Sequence, residues 1–119
     1  MNIRPKTLFI DIDGVLFKHY GNMHDQLQSP VKLLSGVREK FHEWDMKGYY
    51  IILTTGRREC SRKITEQQLQ QAGIFYNQLI MGITGGIRVL INDLKPNSKE
   101  DTAIAICLKR NVGIMEINT

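Results

Sequence analysis

The chain has 119 residues, enough for one domain with its own core and too few for two. Apolar residues make up 42% and charged residues 24%, which excludes a disordered or fibrous chain. The net charge of +4 suits an anionic partner, but Lys and Arg are scattered without a block of like charges, so nucleic acid is allowed rather than indicated.

No apolar run approaches the roughly 18 residues of a membrane span. Asp11 and Asp13 interrupt the short apolar segment near the N-terminus, which argues against a signal peptide. Cys60 and Cys107 have no motif spacing and are expected to be reduced thiols. A cytoplasmic location without a membrane partner is the expectation.

Residues 7–12 predict a strand covered on both faces, because Leu8, Phe9, Ile10 and Ile12 form a near-continuous apolar run. Asp11 and Asp13 are set into its end, and Gly14 follows. Residues 18–35 have no clear period and contain Gly21 and Pro30, which predicts a long loop or flap with at most a short helical turn. Residues 36–47 predict a helix: Val37, Phe41 and Trp44 follow i, i+4, i+7, and Gly48 sits at its C-terminal cap.

"YYIILTT", residues 49–55, predicts a second buried strand ending in hydroxyls. A helix from about Glu59 to Ala72 stops at Gly73, and its apolar stripe of Ile64, Leu69 and Ala72 is thin. "QLIM" (78–81) predicts a short third strand, followed by a connection containing Gly82, Gly85 and Gly86. "IRVLIND" (87–93) predicts a fourth strand ending in Asn92 and Asp93. Ser98 and Asp101 resemble a capping box. The helix expected after them carries Ile104 with Leu108, and Ala103 with Cys107, and ends at Gly113. "IMEI" (114–117) predicts a fifth strand.

Strands alternating with helical patterns predict an α/β sandwich with a mostly parallel sheet, in a single domain over residues 1–119. In such sheets the ligand crevice lies beyond the carboxyl ends of the strands. Asp11 with Asp13, Thr54 with Thr55 and Gly56, and Asn92 with Asp93 all fall at predicted strand ends. Parallel strands would bring the three groups to one edge. Three converging carboxylates, Asp11, Asp13 and Asp93, repel one another and call for a cation. Hard oxygen ligands with room for water suit Mg²⁺. His19, His24 and His42 form no zinc constellation and read as solvated or packing residues.

Asp11-Ile12-Asp13-Gly14-Val15-Leu16 resembles the first motif of the haloacid dehalogenase superfamily of phosphatases and phosphotransferases. "ILTTGR" (52–57) resembles its second motif and "VLIND" (89–93) its fourth, in the right order along most of the chain. The resemblance implies a three-layer, Rossmann-like sandwich around a mostly parallel five-stranded sheet. It implies an Mg²⁺-dependent phosphomonoester hydrolase in which Asp11 is the nucleophile and forms an aspartyl phosphate. Asp13 would protonate the leaving group and then activate water. Gly14 would supply the bend that lets both acids reach one phosphate. Mg²⁺ would be held by Asp11, the carbonyl of Asp13, and Asp93. The Thr55 hydroxyl and the Gly56 N–H would bind phosphoryl oxygens.

The pattern departs from the family in two places. No Lys precedes the fourth predicted strand, which leaves Arg88, Lys63 and Lys95 as candidates to neutralise the phosphoryl group. Asn97 stands where the fourth motif often carries a second acid. Arg57 and Arg58 follow Thr55 and are either anion ligands or an exposed, solvated pair.

The flap at about 17–35 is too short for a cap domain. The open site then takes either a wall from a neighbouring copy in a homo-oligomer or a large, exposed phosphate. A small sugar phosphate or similar metabolite is the expected substrate. The alternatives are a phosphatase for nucleic-acid ends and a non-catalytic module of the same fold. A signalling receiver domain fits less well, because its acceptor Asp should stand where Thr54 and Thr55 do. No G-x-x-x-x-G-K-[ST] motif supports a Walker-type site.

Overall fold

The computed structural model describes residues 4–119. β1 (Thr7–Asp11), β2 (Tyr50–Thr54) and β3 (Gln78–Ile80) form a parallel sheet in the order β1-β2-β3. Between β1 and β2 lie α1 (Met23–Gln28) and α2 (Val37–Met46). Between β2 and β3 a 3₁₀ turn, Glu59–Ser61, leads into α3 (Arg62–Gln71). In the register, Ile10 faces Leu53 and Asp11 faces Thr54, while Leu53 faces Leu79 and Thr54 faces Ile80.

The pleat sorts the strand residues by face. Ile10, Ile51, Leu53 and Leu79 point into the core, where Val37, Phe41 and Trp44 of α2 and Leu69 of α3 meet them. Phe41 meets Trp44 in a tilted arrangement at 5.2 Å between ring centroids and Phe75 edge-on at 5.6 Å. The opposite face carries Phe9, Tyr50, Ile52 and Ile80. There Ile52 is buried, but Phe9, Tyr50 and Ile80 are exposed. Helices therefore cover one face of the sheet only.

This corrects the expected architecture. The sheet has three strands, not five, and the molecule has two layers, not three. Residues 87–93 do not pair with any strand, and Ile87, Val89, Leu90 and Ile91 are exposed. The Arg88 guanidinium turns back to the carbonyls of Thr84 and Gly86 in the preceding loop. Residues 103–109 form no helix. A crossover helix gains its stability from packing on a sheet, and without a fourth strand this segment has no such surface. Ser98 accepts the N–H of Glu100 in a local turn instead of capping a helix. Residues 114–116 turn rather than extend. The radius of gyration, 15.1 Å, exceeds the roughly 13.5 Å expected of a compact chain of this length, and the long axis reaches 50 Å.

The C-terminus nevertheless returns to the core. Ile114 is fully buried, and its N–H donates to Ser35 O at 2.8 Å. Gly36 and Gly113 permit this close approach. A Cβ on Gly36 would fall 2.6 Å from Met115 backbone atoms, and one on Gly113 would collide with the Ser35 carbonyl. The flap is ordered by side-chain bonds. Buried Gln26 of α1 accepts the Tyr20 N–H at 2.8 Å and donates to Lys18 O at 2.8 Å.

Candidate active site at the strand ends

β1 delivers Asp11 to the carboxyl edge of the sheet, beside the end of β2. Its carboxylate is exposed at the rim. Oδ1 accepts the N–H of Ile12 at 3.0 Å, and Oδ2 has no hydrogen-bond partner among the described residues. The protein crowds the inner side of this carboxyl group. That partial desolvation, reinforced by Asp13, pushes its pKa up, opposed by the Ile12 N–H, Arg88 and His19. The charge of Arg88 thus reaches Asp11. Lys63, Lys95 and Asp93 are not among the charges that shift it.

The chain turns sharply after β1. Leu16 and Phe17 N–H both donate to Ile12 O, at 2.9 and 3.0 Å, and Gly14 N–H donates to Phe17 O at 2.7 Å. Gly14 has φ +91°, the left-handed region in which a side chain is strained. The expected bend at Gly14 is therefore present, and it places Asp13 toward β2.

Asp13 meets Arg57 there. Arg57 Nε donates to Asp13 Oδ2 at 2.9 Å and Nη2 to Oδ1 at 2.8 Å, a bidentate fork. The third nitrogen, Nη1, donates to Thr65 Oγ1 at 2.9 Å and Gln68 Oε1 at 2.6 Å. The Arg57 side chain is fully buried, while Asp13 retains 12% exposure. Each Asp13 oxygen keeps a second lone pair for an external group.

Arg57 thereby leaves the exposed pair with Arg58 in which the sequence also allowed it. The signal was present in α3. Its apolar stripe is thin because Thr65 and Gln68, both buried, face inward to hold a guanidinium.

Thr55 and Gly56 follow β2. Thr55 is buried, and its Oγ1 accepts the Arg57 N–H at 3.0 Å, which leaves its hydroxyl hydrogen as a donor. Gly56 is exposed, and a Cβ there would meet Ile83 O at 3.2 Å. Asp11, Asp13, Thr55 and Gly56 thus gather around the ends of β1 and β2, while the Arg88 guanidinium bonds carbonyls of its own exposed loop. Lys63 on α3 is exposed, and Lys95 and Asn97 lie in an exposed turn in which Asn97 has φ +66°.

Asp93 does not join the two N-terminal acids. It sits in the exposed segment, where its carbonyl accepts the Thr102 hydroxyl at 2.6 Å. Among the described residues, no three His, Cys, Asp or Glu side chains are grouped to hold a metal. The expected Asp11–Asp13–Asp93 triad is not assembled, because the predicted fourth strand that would deliver Asp93 is unpaired. No described helix is long and apolar enough to cross a membrane.

No protein-family model matches the chain, and no curated protein matches it. Solved structures do resemble it. A chain in a structure of the Pnkp1/Rnl/Hen1 complex is 29% identical, with a TM-score of 0.58 over 71% of this chain and 30% of that one. A structure of the Pnkp1/Rnl/Hen1 RNA repair complex gives 29% identity and a TM-score of 0.57 over 71% and 28%. The chain thus spans under a third of the length of the repair-complex chains it matches. A crystal structure of a Vibrio cholerae protein, 21% identical with a TM-score of 0.51 over 73% of this chain and 79% of that one, shares the fold.

Proposed function

We propose that the chain is a phosphomonoesterase of the haloacid dehalogenase type, acting on the phosphorylated end of a nucleic-acid strand through an aspartyl phosphate. The observation that carries the reading is the pairing of an exposed, crowded Asp11 with an Asp13 held in a fixed orientation two residues on. The likeness to chains of an RNA repair complex favours a nucleic-acid end over a small sugar phosphate. The sheet edge without a cap admits so large a substrate.

In the proposed cycle Asp11 Oδ2 attacks phosphorus as the ester P–O bond breaks. Asp13 would enter the step protonated on a lone pair that the Arg57 fork leaves free, and would give that proton to the leaving alkoxide. Water then attacks the aspartyl phosphate and gives its proton to Asp13, which restores Asp11 and releases inorganic phosphate. Thr55 Oγ1–H and Gly56 N–H would donate to the phosphoryl oxygens, and Arg88 would offset their charge.

The Asp11 carboxylate and the Asp13 carbonyl would be the ligands for Mg²⁺, oxygen donors of the kind it takes, while Asp93 does not join them among the described residues. Mg²⁺ bound there would offset the repulsion between the carboxylate and the phosphate.

The test is hydrolysis of an aryl phosphate and of phosphorylated oligonucleotides, with and without Mg²⁺, by the wild type and Asp11→Asn. The proposal expects Mg²⁺-dependent turnover that Asp11→Asn abolishes, with oligonucleotides preferred. Turnover that survives in Asp11→Asn overturns it.

A further inference from the structure

The C-terminal segment touches the loop after β1 at Gly14, and there it presents a cation. Asn111 N–H donates to Gly14 O at 2.9 Å. The Asn111 side chain clasps the flap on both sides: Oδ1 accepts His19 N–H at 2.6 Å, and Nδ2 donates to His19 O at 3.1 Å. Asn111 takes φ +65° to do so. This clasp lays the preceding residue, Arg110, across Gly14. Its Cγ lies 3.2 Å and its Nε 3.9 Å from the point where a Gly14 Cβ would stand. Gly14 is thus required for its positive φ, and a Cβ there would also press on Arg110.

Arg110 makes no ion pair among the described residues. Arg57, by contrast, is spent on Asp13. Arg110 therefore stands against Gly14, on the loop that carries Asp13, with its guanidinium free of any ion pair among the described residues. A substrate with a single phosphate does not need a cation there. A strand end does, because its next phosphodiester follows the terminal phosphate at close range.

We infer that Arg110, held by the Asn111–His19 clasp, binds the phosphodiester adjacent to the terminal phosphate and so selects a nucleic-acid strand over a monophosphate. The inference rests on the proposed phosphatase reading and names its substrate-binding subsite. An always-charged guanidinium suits this role, since phosphate is recognised by planar, bidentate donors. It contributes one phosphate contact, which sets the expected scale of its salt dependence.

The experiment compares wild type, Arg110→Gln and Arg110→Lys on three substrates: a phosphorylated oligonucleotide, a nucleoside bisphosphate and an aryl phosphate. The expected result is that Arg110→Gln raises KM for the oligonucleotide about 10-fold more than for the aryl phosphate, with Arg110→Lys recovering part of the loss. The slope of log affinity against log salt should fall by roughly 0.7 for the single strand. Equal losses on oligonucleotide and aryl phosphate overturn the inference. A nucleoside bisphosphate carries a second phosphate for the subsite, so its KM should rise with that of the oligonucleotide, and a bisphosphate that responds like the aryl phosphate overturns the inference.

If the wild type hydrolyses none of the three, the phosphatase reading fails separately. Binding of a labelled, unphosphorylated oligonucleotide then decides: weaker binding by Arg110→Gln with a reduced salt slope supports the subsite, and unchanged binding overturns it.

Discussion

Arg57 and Asp13 lie 44 residues apart in sequence and meet through two parallel hydrogen bonds of 2.9 and 2.8 Å. The pair ties the loop after β1 to the loop after β2, so the two strand ends that carry the site move as one. Thr65 and Gln68 complete the guanidinium's bonding from α3.

Removing one partner of a buried pair strands the other. Arg57→Ala should cost about 3–5 kcal/mol of stability, read by urea denaturation. Arg57→Lys should recover little, because an ammonium cannot reproduce the fork. A loss below about 1 kcal/mol would show that the pair is solvated.

Thr65→Val and Gln68→Leu each leave one bond of the Arg57 guanidinium unmade. Each should cost about 1–3 kcal/mol. The three residues share one network, so a double-mutant cycle between Arg57→Met and Gln68→Leu should give a clear coupling energy. Additive losses would contradict a shared network.

The one-sided cover of the sheet makes a contrast within adjacent strands. Leu53 is fully buried between helices and sheet, and Leu53→Ala should cost about 2–5 kcal/mol. Phe9, on the open face of β1, is 56% exposed, and Phe9→Ala should cost under about 1.5 kcal/mol despite its size. Similar losses at both positions would mean that both faces are covered in solution.

Asp11 makes stability depend on pH in a defined direction. Its pKa in the folded protein is raised above the ordinary 3.8, chiefly by desolvation. The folded state therefore holds the proton more tightly than the unfolded chain. Ionising Asp11 costs stability, and the cost grows as pH rises from the ordinary value through the raised one, then stays constant. Without divalent metal, Asp11→Asn should melt slightly higher than wild type at pH 7, the difference kept small by solvent screening of so exposed a group. The two should converge below the ordinary value. A variant that melts lower at pH 7 contradicts a desolvated Asp11.

The first 80 residues were largely legible in the sequence. The apolar runs of β1 and β2, the i, i+4, i+7 pattern of α2, and Gly48 and Gly73 with positive φ after α2 and α3 follow local rules that the fold obeys. Residues 87–117 were not legible, because their patterns are conditional. A strand such as "IRVLI" needs a neighbouring edge, and the following amphipathic stretch needs that strand. Periodicity records the capacity of both but not whether they pair. In the site, the spacing of Asp11, Asp13 and Gly14 was readable, whereas the pairing of Arg57 was not. That pairing joins a loop residue to two polar positions on the inner side of a helix, and polar residues at core positions are easily mistaken for a weak stripe.

The most direct measurement is chemical trapping of the phosphoryl group. The protein is mixed with excess phosphorylated oligonucleotide and Mg²⁺, quenched in acid within one turnover, digested, and analysed by mass spectrometry. One phosphoryl group is expected on the peptide containing Asp11, and none in Asp11→Asn. Steady turnover with no phosphoryl group on that peptide, or with the group on another residue, would contradict it.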